Sequence, residues 1–173
     1  MNNMKRIITN ILLIFICFLL QSTFSGMFRI SNIMPNILLL LTAASGFMQG
    51  DRTGVFVGFI CGFLLDIFSF EIVGFYALLY MFIGFLNGQF HNTFYPEDIK
   101  LPLILFSVSD LFYSLINYVV LFLLRSRFHF GFYFLNICLP ELAYTIFIAI
   151  LFYPALLLLE HFLFRVKEKK ENA

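Results

Sequence analysis

Six long apolar segments separated by short polar ones occupy most of this 173-residue chain, and they constrain its fold more than any other feature. A helix needs about 20 apolar residues, within a range of about 17 to 25, to cross a bilayer. Hydrophobic residues make up 61% of the chain and charged residues 12%, which is more apolar surface than a soluble domain of this length can bury. The sequence therefore predicts one all-α integral membrane domain over residues 1–173, surrounded by membrane lipid. Its six transmembrane helices are predicted at residues 7–24, 33–48, 54–70, 72–89, 101–124 and 135–164.

The basic residues predict how these helices are oriented. With both termini in the cytoplasm, eight Lys and Arg residues fall on the inside and three, Arg29, Arg125 and Arg127, fall on the outside. This distribution obeys the positive-inside rule. The first apolar segment lacks an A-x-A-like cleavage site, so we interpret it as a retained span and not as a signal peptide. We expect a multi-pass membrane protein with short loops.

Several classes of function are disfavoured by what the spans and loops contain. A net charge of +1 with no basic face argues against a nucleic-acid partner. The sequence has no H-E-x-x-H motif, no C-x-x-C pair and no other paired-ligand spacing, and its histidines lie in loops or near the end of a span. We therefore predict no catalytic residue, no metal site and no cofactor.

A row of glycines predicts close helix packing. A glycine costs a helix about 1 kcal/mol relative to alanine, so a row of them needs a packing reason, which in lipid is the approach of a second backbone. The row has one glycine at every fourth residue, with an aspartate at the next step: Gly46, Gly50, Gly54, Gly58, Gly62 and Asp66. We expect Gly46 and Gly50 in or near a turn at residues 49–53. The other four then form a slanting interface ridge that can meet a partner helix, and Gly84 and Gly88 offer a matching groove on the fourth span.

Three acidic residues, Asp66, Asp110 and Glu141, fall inside predicted spans. Intramembrane carboxylates commonly form proton or cation relays. They can also be hydrogen-bonded groups that hold helices together, here with Asn117 or Tyr144 as partners. No basic residue lies inside a predicted span to complete a charge-transfer path, which favours the structural interpretation.

The second to fourth segments resemble the family of the rod shape-determining protein MreD. The resemblance rests on the glycine row that ends at Asp66 and on three further motifs, namely Met34-Pro35-Asn36 before a leucine run, Gly74-Phe-Tyr-Ala-Leu, and Gly84-Phe-Leu-Asn-Gly88. Chain length, six spans and short loops are similar along the whole chain. The specific motifs cover residues 34–88 only.

This resemblance implies a non-enzymatic inner-membrane component of the cell-elongation machinery of rod-shaped bacteria, which helps to control cell shape and lateral peptidoglycan synthesis. The partners that it implies are the bitopic protein MreC, the MreB filament, the polymerase RodA and a penicillin-binding transpeptidase. It also implies a fold similar to the substrate-binding component of energy-coupling-factor transporters. The alternative is therefore a substrate-binding membrane subunit of a vitamin transporter. Such subunits dock through an alanine-x-x-x-alanine stripe in the first span, and residues 7–24 contain no alanine.

Overall fold

The computed structural model describes residues 2–27, 36–69, 74–93, 100–123 and 139–171, and these are almost entirely helical. A single 3₁₀ turn, His91–Thr93, follows the fourth helix. The six α-helices are α1 (Asn2–Met27), α2 (Ile37–Gln49), α3 (Asp51–Ser69), α4 (Phe75–Gln89), α5 (Lys100–Leu123) and α6 (Leu139–Glu171).

Each predicted span corresponds to one helix, with differences at the ends. The break between α2 and α3 lies within the predicted turn at residues 49–53 but is shorter, because Gly50 alone separates the two helices. Gly50 has a φ of 97°, a conformation that residues with a side chain rarely adopt, so one residue suffices to break the helix. Helix α6 continues through Pro154. The predicted span residues 33–35, 70, 72–73, 124 and 135–138 lie outside the described residues, as do Arg29, Arg125 and Arg127.

Helix α2 forms the centre of the bundle. Twelve of its 13 residues are buried, and it contacts α1, α3, α4, α5 and α6. A helix that is apolar on all sides lies in a protein core or in lipid, and α2 is surrounded by other helices. At about 1.5 Å per residue α2 extends about 20 Å, which is less than the thickness of a bilayer core at about 30 Å.

Helix α1 is attached to α2 along one narrow stripe. The Asn10 amide donates to Gln49 Oε1 at 3.0 Å, and the backbone N–H of Leu38 donates to Gln21 Oε1 at 3.0 Å. These two pairs show that α1 and α2 are antiparallel. Between them, Ile14 and Cys17 are buried against the core. The opposite side of α1 is apolar and exposed.

Helices α5 and α6 carry polar residues on their interior faces and large apolar residues on their exterior faces. The buried positions of α5 include four polar residues, Ser109, Asp110, Ser114 and Asn117, and Thr145 is buried on α6. The exposed positions of both helices are large apolar residues such as Ile104, Leu115, Phe147 and Leu151. This arrangement is the reverse of a soluble bundle and is typical of helices whose outer face contacts lipid.

Three helices among the described residues are long and apolar enough to cross a membrane, in the segments Arg6–Thr23, Lys100–Val120 and Leu139–Leu158. They belong to α1, α5 and α6. The shorter helices α2, α3 and α4 pack together as the core of the bundle. Six membrane crossings therefore remain a prediction, of which the structure supports three by length and composition.

Candidate functional site

The α3–α4 pair is packed backbone to backbone through glycines. A Cβ atom added at Gly54 would overlap the Gly84 carbonyl, one at Gly58 would overlap the Tyr80 carbonyl, and one at Gly62 would overlap the Tyr76 carbonyl. Every step of four residues along α3 is thus matched by a step of four residues back along α4. The two helices are antiparallel, and only glycine permits this separation between them.

Gly46 lies one helical turn before the break at Gly50, but it belongs to the same helix contact, so packing explains this glycine better than the nearby turn does. It lies inside α2, where an added Cβ would overlap the Gly84 carbonyl and would be 3.1 Å from the Gly88 nitrogen. Gly88 in turn faces the backbone of Asp51. Three helices therefore meet at glycines, and sequence spacing alone could not distinguish this junction from a turn.

The helix that meets the glycine ridge is α4 of the same chain. Gly54, Gly58 and Gly62 on α3 and Gly84 and Gly88 on α4 are all buried. While α3 and α4 stay packed, a helix of another protein has no access to these positions. These glycines therefore pack helices of one chain together, and a contact of this ridge with a partner protein stays a prediction.

Asp66 supplies the N-terminal cap of α4. Its Oδ1 accepts the backbone N–H of Tyr76 at 3.0 Å, and its Oδ2 accepts the backbone N–H of Ala77 at 3.0 Å. The residue before α4, Gly74, has no side chain to cap the helix. The carboxylate of Asp66 therefore takes two of the N–H groups that a helix start leaves unpaired, and the positive end of the helix dipole stabilises its charge.

Asn36 and Tyr80 form a second buried connection between helices. Asn36 caps α2 through the backbone N–H of Leu39, and its Oδ1 accepts the Tyr80 hydroxyl at 2.6 Å. The Tyr80 ring lies edge-on to Tyr113 of α5, with 5.8 Å between ring centroids. Tyr80 is thus a contact point for α2, α4 and α5, a role that no local sequence pattern indicates.

We predict that Tyr80→Phe lowers the free energy of unfolding by about 1 kcal/mol, because it removes one buried hydrogen bond and leaves the ring in place. Asn36→Ala should cost more, since it removes both the Tyr80 hydrogen bond and the cap of α2. Thermal unfolding in detergent measures both variants. Equal melting temperatures for the wild type and Tyr80→Phe would contradict this prediction.

A polar cluster lies where α4, α5 and α6 meet. The Asn87 amide donates to Ser109 Oγ at 2.8 Å, which joins α4 to α5. The Ser114 hydroxyl donates to Glu141 Oε2 at 3.1 Å, which joins α5 to α6. Asp110 lies one turn before Ser114 on α5 and is only 1% exposed.

The hydrogen-bond partners of Asp66 and Glu141 differ from those that the sequence predicts. Asp66 bonds to backbone groups and Glu141 bonds to Ser114, and neither has Asn117 or Tyr144 as its partner in a hydrogen bond of the described residues. The polar residues of α5 recur at positions 110, 114 and 117. This helical spacing is a signal from which the polar face could have been predicted.

Potential metal-ligating side chains do not cluster in the part of the chain that the structure describes. No group of three His, Cys, Asp or Glu side chains that could hold a metal ion occurs among the described residues. Cys17 and Cys61 are free and buried, and His91 Nδ1 lies 3.0 Å from the Phe47 carbonyl oxygen. The site consists of helix contacts and one polar cluster.

Comparison with known proteins places the chain in a family. A family model described as rod shape-determining protein MreD matches residues 2–163, which include all of α1 to α5 and most of α6. No curated protein and no solved structure matches the chain. The family match confirms the resemblance seen in residues 34–88 and extends it to helices α5 and α6. The chain is a membrane protein that belongs to the rod shape-determining protein MreD family.

Proposed function

We propose that this protein is a non-enzymatic component of the cell-elongation complex in the bacterial inner membrane. Its family implies a role in determining rod shape, and the observation that carries the proposal is the family match over residues 2–163. In this role it supports lateral peptidoglycan synthesis by packing against the membrane helices of partner proteins. We propose MreC, the MreB filament, RodA and a penicillin-binding transpeptidase as those partners.

The packing of the bundle supports a partner contact on its outside. The glycine ridge is filled by the chain's own helices, so the outer apolar faces are what a partner helix can reach. Among the three membrane-length segments that the structure describes, the one in α1 has the smallest buried share, 17%. We therefore propose the outer face of α1 as a partner contact.

The proposed topology has six membrane crossings with both termini in the cytoplasm. The buried polar residues and the exposed large apolar residues of α5 and α6 support two adjacent crossings. The alternative of a vitamin-transporter subunit finds no support in the comparisons. The similarity to energy-coupling-factor components remains a prediction.

Depletion of the protein in its native bacterium tests the proposed role. We expect rods to become round as the protein is lost, and re-expression of the wild-type chain to restore them. Cells that kept their rod shape after complete depletion would refute the proposal.

A photo-crosslinking amino acid in α1 tests the proposed contact surface. Phe15 is 58% exposed and its neighbour Ile14 is 2% exposed, so the two positions form a matched pair. We expect a crosslink to MreC or another membrane partner from position 15 and none from position 14. Crosslinks from neither position, in cells that remain rods, would place the partner contact elsewhere.

A further inference from the structure

Asp110 differs from the other two acids of the bundle because it accepts no hydrogen bond of standard geometry in the described part of the chain. Asp66 accepts two N–H groups at the start of α4, and Glu141 lies in the first turn of α6 and accepts from Ser114. The positive end of the α4 helix dipole stabilises the Asp66 carboxylate. Asp110 lies in the middle of α5 and is 1% exposed.

The unpartnered atoms around Asp110 are oxygens. Neither carboxylate oxygen of Asp110 has a hydrogen-bond partner of standard geometry among the described residues, and neither does the Thr145 hydroxyl, which lies beside the carboxylate. Asn117 Oδ1, two turns further along α5, is also buried and unpartnered. No Lys, Arg or His occurs in residues 101–124 or 139–158, so these segments supply no cationic side chain.

A bound proton and a bound metal cation would satisfy these atoms to different extents. Protonation of Asp110 removes its charge and allows one hydrogen bond with the Thr145 hydroxyl, but one carboxyl oxygen stays without a partner. A cation held by both Asp110 oxygens and Thr145 Oγ1 satisfies three atoms at once. Ligand sets made only of oxygen suit hard cations, and one uncompensated carboxylate matches a single positive charge.

We propose that the α5–α6 contact contains a binding site for one hard monovalent cation of the Na⁺ class, with Asp110 and Thr145 as its ligands. Further polar side chains of α5 continue from this site toward the end of the helix. Asp110, Ser114 and Asn117 lie on one side of the helix, with Glu141 opposite Ser114, over a length of about 10 Å toward the end of α5.

Thermal unfolding of the full-length protein in lipid nanodiscs tests the proposal, with NaCl replaced by choline chloride at constant ionic strength and pH. A ligand that binds only the folded state raises the melting temperature by several degrees once it exceeds its Kd by about 100-fold. We expect such a saturable rise with Na⁺ and none with choline. Isothermal titration with NaCl should give one site per chain.

Isosteric variants connect the response to the proposed ligands. Asp110→Asn should unfold at a temperature that does not depend on Na⁺. Thr145→Val should need at least about tenfold more Na⁺ for the same rise, because it loses an oxygen ligand and keeps its shape, whereas Thr145→Ser should respond like the wild type. If Asp110→Asn does not fold, the proposal is tested by comparing the Na⁺ dependence of the melting temperatures of Thr145→Val and Thr145→Ser.

Three results would overturn the proposal. The first is a wild-type melting temperature that is the same in Na⁺ and in choline. The second is a Na⁺ response that survives in Asp110→Asn. The third is stability that changes with pH but not with Na⁺, which would make Asp110 a proton site. All of these outcomes are independent of whether the protein controls cell shape.

Discussion

Gly58→Leu is expected to prevent α3 and α4 from packing, with a loss of folded protein from the membrane. An added Cβ at this position already overlaps the Tyr80 carbonyl, and the obstructing atoms are backbone. Overpacking of a well-filled core typically costs about 1 to 3 kcal/mol, and a leucine between two touching backbones should exceed that range. The amount of protein in isolated membranes and its melting temperature in detergent measure the effect.

A matched control comes from the next residue of α3. Phe59 is 46% exposed and points away from α4. Phe59→Leu should therefore leave the amount of membrane protein and its melting temperature close to those of the wild type. Tyr80→Ala should not rescue Gly58→Leu, because removing the Tyr80 side chain leaves the obstructing carbonyl in place. Normal amounts of folded Gly58→Leu protein would show that α3 and α4 are not packed in this way.

Gly74 separates the packing role of glycine from its conformational role. An added Cβ there meets nothing within 4 Å, but the residue has a φ of 93°. Gly74→Ala should therefore cost only about 1 to 2 kcal/mol, the penalty of a left-handed conformation, and Gly74→Asn less. A cost for Gly74→Ala as large as that for Gly58→Leu would argue against this distinction.

The glycine spacing illustrates what could be predicted from the sequence. A repeat of four within an apolar segment indicates a ridge on a helix, and the Gly54–Gly58–Gly62 ridge does lie at a helix contact. Which helix meets it is decided by tertiary packing. The same spacing continues through Gly46 and Gly50, one of which lies in a helix contact and the other in the break between α2 and α3, and local sequence does not distinguish them.

The surroundings of the acids were less predictable for a related reason. The hydrogen-bond partners of Asp66 are backbone N–H groups of Tyr76 and Ala77, and every residue except proline carries such a group. A complementary side chain, such as that of Asn117 or Tyr144, is therefore the wrong kind of partner to expect for Asp66. Ser114, by contrast, lies one helical turn after Asp110 and could be predicted to share its face.

Asp66→Ala is expected to destabilise the start of α4 and to lower the free energy of unfolding by about 3 kcal/mol. The substitution removes two hydrogen bonds, and a hydrogen bond to a charged group contributes about 1.5 to 3 kcal/mol. Asp66→Asn keeps one acceptor oxygen and should lose about half as much. Asp51→Asn is the control, because Asp51 is an exposed acid in the first turn of α3. The free energy of unfolding of Asp51→Asn should lie within about 0.5 kcal/mol of the wild-type value.

Hydrogen exchange locates the effect of Asp66 within the protein. In Asp66→Ala the amides of Tyr76 and Ala77 should exchange faster than in the wild type. The exchange rates of amides in the middle of α2 should rise only by the amount that the lower global stability predicts. If Asp66 acts only as this cap, shape control in cells should decline in proportion to the amount of folded protein. A stable, abundant Asp66→Asn protein that nevertheless produced round cells would contradict this expectation. The charge of Asp66 would then be needed for more than holding α3 to α4. Such a result would show that the carboxylate takes part in a contact that switches during elongation.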